Sequence, residues 1–196
     1  MIEYIRGSLA ALTPTDATVE TSGGVAYLLN ITLPTYTALE GQTEVRMLVH
    51  ESIRDDAWVL FGFIDEAERT LFRQLIGVSG VGAGSARTIL SAIPASELGA
   101  VITAGDTRRL KNVKGIGAKT AERIIVDLRD KIKTTDTTLL EQPGATSDSE
   151  AFEEALTALT ILGYTRQQSQ KALRKIFDAD PGAKVESAIR KALAMM

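Results

Sequence analysis

Gly80-Val81-Gly82-Ala83-Gly84-Ser85-Ala86 recurs at an offset of 35 residues (80 to 115) as Gly115-Ile116-Gly117-Ala118-Lys119-Thr120-Ala121. Each copy follows an apolar helix or short turn and precedes a further helix, expected over residues 87–92 and 122–131. The unit is therefore helix, tight Gly-apolar-Gly hairpin, helix. Glycine permits positive φ and lets a backbone approach a ligand with no Cβ between them. Val81 or Ile116 can anchor its hairpin in a core. Free amides and the positive dipole end of the following helix then point at one anion. Lys119, Thr120 and Arg123 add donors around the second copy, and a phosphate held in this way is bound without reading a base. An ordinary αα-hairpin also places glycine in its turn, but two copies in matched context favour a phosphate grip. A nucleotide-binding loop fits less well, because Gly80-x-Gly82-x-Gly84 follows a helix and no Gly-x-x-x-x-Gly-Lys-Ser/Thr occurs.

Charge concentrates around the same repeat. The 196 residues carry a net charge of −3, which alone argues against a polyanionic partner. By segment the picture changes. Residues 1–63 hold 3 Lys and Arg (Arg6, Arg46, Arg54) against 8 Asp and Glu, whereas residues 64–133 hold 12 against 8. Residues 134–148 hold none against 3, and residues 149–196 hold 7 against 6. The basic segment is the one that contains both hairpins, which points to a localised anionic partner. The chain has no cysteine, so a disulfide scaffold, a thiolate metal site and a cysteine nucleophile are excluded. Met1-Ile2-Glu3-Tyr4-Ile5-Arg6 does not resemble a signal peptide. No run approaches the roughly 18 apolar residues of a membrane span. A cytoplasmic protein with no membrane association is expected.

Upstream of the repeat the period is two. Val25, Tyr27, Leu29 and Ile31 alternate with Ala26, Leu28 and Asn30, and Val45, Met47 and Val49 alternate with Arg46, Leu48 and His50. Breakers at 13–16, 22–24, Leu33-Pro34, Glu40-Gly41 and 54–56 divide this segment into strands near 2–12, 15–21, 24–31, 44–53 and 57–62. Five such strands fit a small OB-type barrel, and periodicity alone leaves an SH3-like barrel open. His50 and Trp58 are expected to pack in the barrel. From Glu66 the period is helical: Leu71, Phe72, Leu75 and Ile76, then Ile89, Leu90 and Ile93, then Leu98, Val101 and Ile102, then Ile124, Ile125 and Leu128. Pro94-Ala95-Ser96-Glu97 resembles a helix start capped by Ser96 or an earlier residue. Residues 134–149 are polar and read as a flexible linker. Phe152 to Leu162, Ala172 to Phe177 and Val185 to Leu193 mark three helices. The expected fold class is α+β and multidomain: a five-stranded OB-type β-barrel (1–63), an all-α tandem helix-hairpin-helix domain (64–133), the linker, and a three-helix bundle (150–196).

Met1-Ile2 with Arg6-Gly7, Glu68-Arg69-Thr70-Leu71-Phe72 leading into Gly80-Val81-Gly82, and Gly115 to Arg123 together resemble the bacterial RuvA family. That family comprises the Holliday-junction-binding subunits of the RuvAB branch-migration complex, and the resemblance covers essentially the whole chain. It implies that two helix-hairpin-helix motifs grip DNA backbones from the minor-groove side. The matching positions are Ser79, Gly80 and Gly82 in the first motif, and Gly115, Gly117, Lys119, Thr120 and Arg123 in the second. Gly84 departs from the family pattern, where a basic residue is common, so the first hairpin would rely on amides. Asp55-Asp56, with Arg54 beside them as a DNA contact, match the family's acidic pin, a turn between barrel strands. By residue type alone this pair is a hairpin turn, and it makes a poor two-metal nuclease site without further ligands. Repulsion of phosphates by four such turns in a fourfold assembly would steer strands apart at a crossover.

The C-terminal bundle resembles the family's docking domain for the RuvB hexameric ATPase, with Leu159, Leu162 and Tyr164 as candidate contacts. A tether would keep that domain near the junction while it follows the motor. The resemblance further implies a homotetramer, with an octamer as the alternative, and the RuvC resolvase as an additional partner. No catalytic residue, cofactor or metal is expected, and ATP hydrolysis belongs to the partner. The rival reading is a generic repair-associated module, with a barrel for single strands and hairpins for duplex. A barrel segment so rich in acid argues against it.

Overall fold

The computed structural model describes residues 1–139 and 147–195, in two compact units, Met1–Asp136 and Thr137–Met196. In the first unit, β1 (Tyr4–Leu12), β2 (Asp16–Glu20), β3 (Ala26–Asn30), β4 (Glu44–Ile53) and β5 (Trp58–Phe63) close a barrel in the order β1-β2-β3-β5-β4. All pairings are antiparallel except β3 with β5, where Leu29 faces Leu60 and Asn30 faces Phe61. A register shift between Leu9 and Ala11 bends β1, which pairs with both β2 and β4. Where β1 crosses β2, a Cβ on Gly7 would lie 2.0 Å from the Glu20 carbonyl oxygen, so only glycine fits. Ile5, Val19, Leu29, Met47 and Val49 fill the interior, as the period-two pattern requires.

A helix the alternation did not show, α1 (Leu33–Leu39), bridges β3 and β4. Leu33-Pro34 begins it, because proline at the first positions of a helix loses no intrahelical hydrogen bond. Thr32 caps it, accepting from the Thr35 amide at 3.2 Å.

The helices of this unit are α2 (Glu66–Ile76), α3 (Ala83–Ala92), α4 (Ala95–Ala104), α5 (Thr107–Lys111) and α6 (Ala118–Leu139). Pro94 is the N-cap of α4, so a residue earlier than Ser96 takes that position. Phe61 and Phe63 of β5 join the helical core, a cluster separate from the barrel interior. Phe72 of α2 is fully buried, with the rings of Phe61 and Phe63 each 5.0 Å away and that of His50 at 5.3 Å. Burial of one such ring is worth about 1.5–3 kcal/mol. Trp58 departs from expectation: it is 64% exposed, paired with Ile53 at the turn end of the β4–β5 hairpin, and packs no barrel interior.

Two buried side chains of the Glu68-Arg69 motif form hydrogen bonds across this junction. The Arg69 guanidinium donates to the carboxylates of Glu3 and Glu66 and to the carbonyl oxygens of Glu3 (3.0 Å) and Val49 (3.4 Å). These hydrogen bonds from Arg69 hold the Glu3 carboxyl below its ordinary value. Glu68 accepts from the hydroxyls of Thr32 and Thr35, the latter at 2.6 Å. Its burial pushes the carboxyl above its ordinary value, against the pull of those two bonds.

The second unit contains α7 (Ser147–Ile161), α8 (Arg166–Ala179) and α9 (Val185–Met195), packed on Ala155, Leu156, Leu159, Leu173, Ile176, Ala188 and Ala192. Gly163, at φ +98°, ends α7, and the Tyr164 amide returns to the Leu159 carbonyl at 3.1 Å. Residues 134–139 continue α6 and residues 147–149 begin α7; the remainder of the expected linker, 140–146, lies outside the described residues. No helix among the described residues is long and apolar enough to cross a membrane.

Candidate nucleic-acid interface

The repeat is a repeat in three dimensions. Val78 and Val113 are buried, and each carbonyl accepts from the amide three residues on, Val81 at 3.0 Å and Ile116 at 3.1 Å. Gly80 and Gly115 take positive φ, +90° and +87°, which an L-residue adopts only with strain. Val81 and Ile116 return the chain to the core, each 5% exposed. At Gly82, the N-cap of α3, φ is −86° and ψ 169°, so its missing Cβ serves something other than φ. A Cβ at Gly82 or Gly117 would meet nothing within 4 Å. The side chain is absent on an open, solvent-facing side, where a ligand can come against the backbone.

The helices start earlier than expected, at Ala83 and Ala118, directly after the second glycine. The first ladder bonds are Ala86 to Gly82 and Ala121 to Gly117, both 2.9 Å. The amides of residues 83–85 and 118–120 therefore precede the ladder, and Gly82 offers no side chain to cap them. The two hairpins also touch. The Arg123 guanidinium donates to the Ser79 carbonyl oxygen at 3.5 Å, so a residue of the second motif lies against the first. Lys119 is exposed and Thr120 half-buried at the second helix start. Two helix starts with amides outside the ladder thus share one core cluster.

Arg54, Asp55 and Asp56 are on a separate feature, the turn joining β4 to β5. The Arg54 amide donates to the Ala57 carbonyl at 2.8 Å, and all three side chains are exposed. Among the described residues, no ion pair involves either aspartate and no group of three His, Cys, Asp or Glu is placed to hold a metal. In the second unit, Leu159, expected as a contact, is instead fully buried in the bundle core and unavailable for contact. Leu162 is 59% exposed and Tyr164 half-buried. Ile161, not singled out by its helical spacing, is 80% exposed beside Leu162.

Comparison with known proteins accounts for the whole chain. The family model for the RuvA N terminal domain matches residues 1–62, that for the SAM-like helix-hairpin-helix tandem residues 72–130, and that for the RuvA C-terminal domain residues 150–196. A Bacteroides fragilis protein is 46% identical over 199 residues, covering 98% of both chains. Proteins of Parabacteroides distasonis (46% over 197 residues) and Porphyromonas gingivalis (43% over 203) match over 100% of both chains. Each is named Holliday junction branch migration complex subunit RuvA. With barrel, paired hairpins and C-terminal helices in the same order and over the same length, this chain belongs to the RuvA family.

Proposed function

We propose that the chain binds four-way DNA junctions through their backbones, without sequence preference, holds them open, and recruits a RuvB-type hexameric ATPase for branch migration in recombination and repair. The observation that carries this is the pair of adjacent hairpins, whose uncapped helix-start amides stand beside open glycines. A phosphate on each would be gripped by amides and dipole, and a pair of such grips follows a backbone rather than a base. Full-length likeness to proteins named for the Holliday junction supports the junction as substrate.

In this reading Ser79, Gly80 and Gly82 hold one phosphate, and Gly115, Gly117, Lys119, Thr120 and Arg123 another. Asp55 and Asp56 form a repulsive pin and Arg54 an adjoining contact. Leu162 and Tyr164, with Ile161, face the motor. The chain acts in the cytoplasm as a tetramer, or an octamer of two tetramers, with RuvC as a further partner. ATP is hydrolysed by the motor. A competition gel shift tests the central point: a four-way junction should displace the chain from linear duplex of random sequence. Equal affinity for the two would overturn it.

A further inference from the structure

The repeat extends beyond the hairpins, and its two copies treat one face differently. At the 35-residue offset, Arg73, Ile76 and Ser79 of the first copy correspond to Arg108, Lys111 and Lys114 of the second. In the first copy two of these three positions are engaged by the protein itself, and Ser79 is exposed. Arg73 donates to the Val49 carbonyl oxygen of β4 at 3.5 Å, and Ile76 is half-buried against the helical core. In the second copy the corresponding face is open: Arg108, Lys111 and Lys114 are all exposed.

Two details align these cations. Leu110, fully buried, fixes the inward side of α5, so Arg108 and Lys111, three residues apart, are neighbours on its outer side. Arg109, which would spread the charge around the helix, is instead paired with Glu97. Lys114 immediately precedes Gly115 at the tip of the second hairpin. Among the described residues, none of Arg108, Lys111 and Lys114 has a carboxylate within ion-pair distance.

We propose that Arg108, Lys111 and Lys114 form a second phosphate-binding stripe, which continues the second hairpin's grip along the backbone of the same duplex arm. The stripe rests on the DNA-binding reading above and extends it from the tip of the second hairpin onto α5. Each cation that neutralises a phosphate releases counterions, and each steepens the salt dependence of binding by about 0.9 in log K against log salt.

The test uses the full chain, a four-way junction, a linear duplex and a salt series. Arg108→Ala/Lys111→Ala/Lys114→Ala should lower the slope by about 2–3 on both DNAs, with an unchanged unfolding midpoint, since all three side chains are exposed. Lys171→Ala/Arg174→Ala/Lys175→Ala removes equal charge from α8 and should change the slope far less. An unaltered slope in the first variant, the result expected if these cations face an acidic protein instead, would overturn the stripe. So would an equal fall in both variants. A parent that binds junction and duplex equally would overturn junction specificity alone, because its duplex slope still decides the stripe.

Discussion

The two hairpins have nearly the same backbone and quite different surroundings. The first is uncharged at its tip and helix start (Ser79, Gly84, Ser85), and its helix is fastened to the barrel by Arg87, which donates to Asn30 Oδ1 at 2.7 Å and to the Thr15 carbonyl at 3.3 Å. The second has Lys114, Lys119 and Thr120 at the same positions, and Glu122 where the first has Arg87. One copy spends its arginine on architecture; the other keeps its cations for solvent or a ligand. Backbone geometry is what the repeat preserves, and electrostatic strength is what it varies. On the proposed reading, an amide-only grip tied to the barrel would fix position, and a cationic grip would add affinity.

The largest test of this contrast concerns the shared scaffold. Ile116→Ala should cost about 2–5 kcal/mol in urea unfolding of the chain's first unit, while Ile116→Val, which installs the first hairpin's residue type, should cost only about 0.5–1.5 kcal/mol. If the Ile116→Val chain proved as unstable as the alanine variant, the two anchors would not be equivalent. Next come the glycines. Gly115→Ala should cost about 1–2 kcal/mol of stability, because φ there is positive. Gly117→Ser should leave stability nearly unchanged, serine being a good N-cap. It should still weaken DNA binding about tenfold, the value of one lost charge-assisted bond. Equal effects on folding and binding at both positions would erase the distinction between a conformational glycine and an approach glycine.

Smaller still is the exchange of charge between copies. Lys119→Ala should lower the salt slope of DNA binding by about 0.9 and Gly84→Lys should raise it by about as much. A Cβ at Gly84 meets nothing within 4 Å, so the lysine has room. A flat response to Gly84→Lys would mean that the first hairpin never approaches a phosphate.

The smallest effect belongs to the first copy's attachment to the barrel. Burial raises the Glu68 carboxyl, so its contribution to stability is present at low pH and drains away as pH rises through the raised value. Glu68→Gln should therefore gain on the parent in thermal midpoint from about pH 4 towards pH 7. Glu3, whose lowered value works in the opposite direction, is common to both chains and cancels. A midpoint difference that is constant with pH would remove Glu68 from the account.

The barrel strands and both hairpins were legible because their signals are local: alternation for the strands, and glycine spacing for the turns. α1 was hidden because Leu33-Pro34 is equally a strand breaker and a helix start, and only the Thr32 cap and the packing beneath distinguish them. The exposure of Trp58 was hidden because Trp58 to Phe63 is apolar throughout. Alternation places Trp58 in phase with Leu60 and Gly62, which face the barrel interior, and its position at the turn end of β5, opposite the exposed Ile53, leaves it in solvent. Leu159 and Leu162 are three residues apart, close enough in helical phase that spacing could not separate core from surface. The contact between Arg123 and Ser79 joins residues 44 apart in the chain, and no local pattern encodes it.

The rings of Phe61, Phe63 and Phe72 have a consequence for anyone wishing to cut or graft this protein. The family-model boundaries fall at residues 62 and 72, on either side of a single aromatic cluster. A fragment that stops after the barrel would bare Phe61 to water, and hairpins transplanted without it would bare Phe72. Barrel and hairpins are inherited as one piece of machinery: whatever force a DNA arm exerts on the hairpins is delivered, through packed rings and the Arg69 fan of hydrogen bonds, to the sheet that presents Asp55 and Asp56.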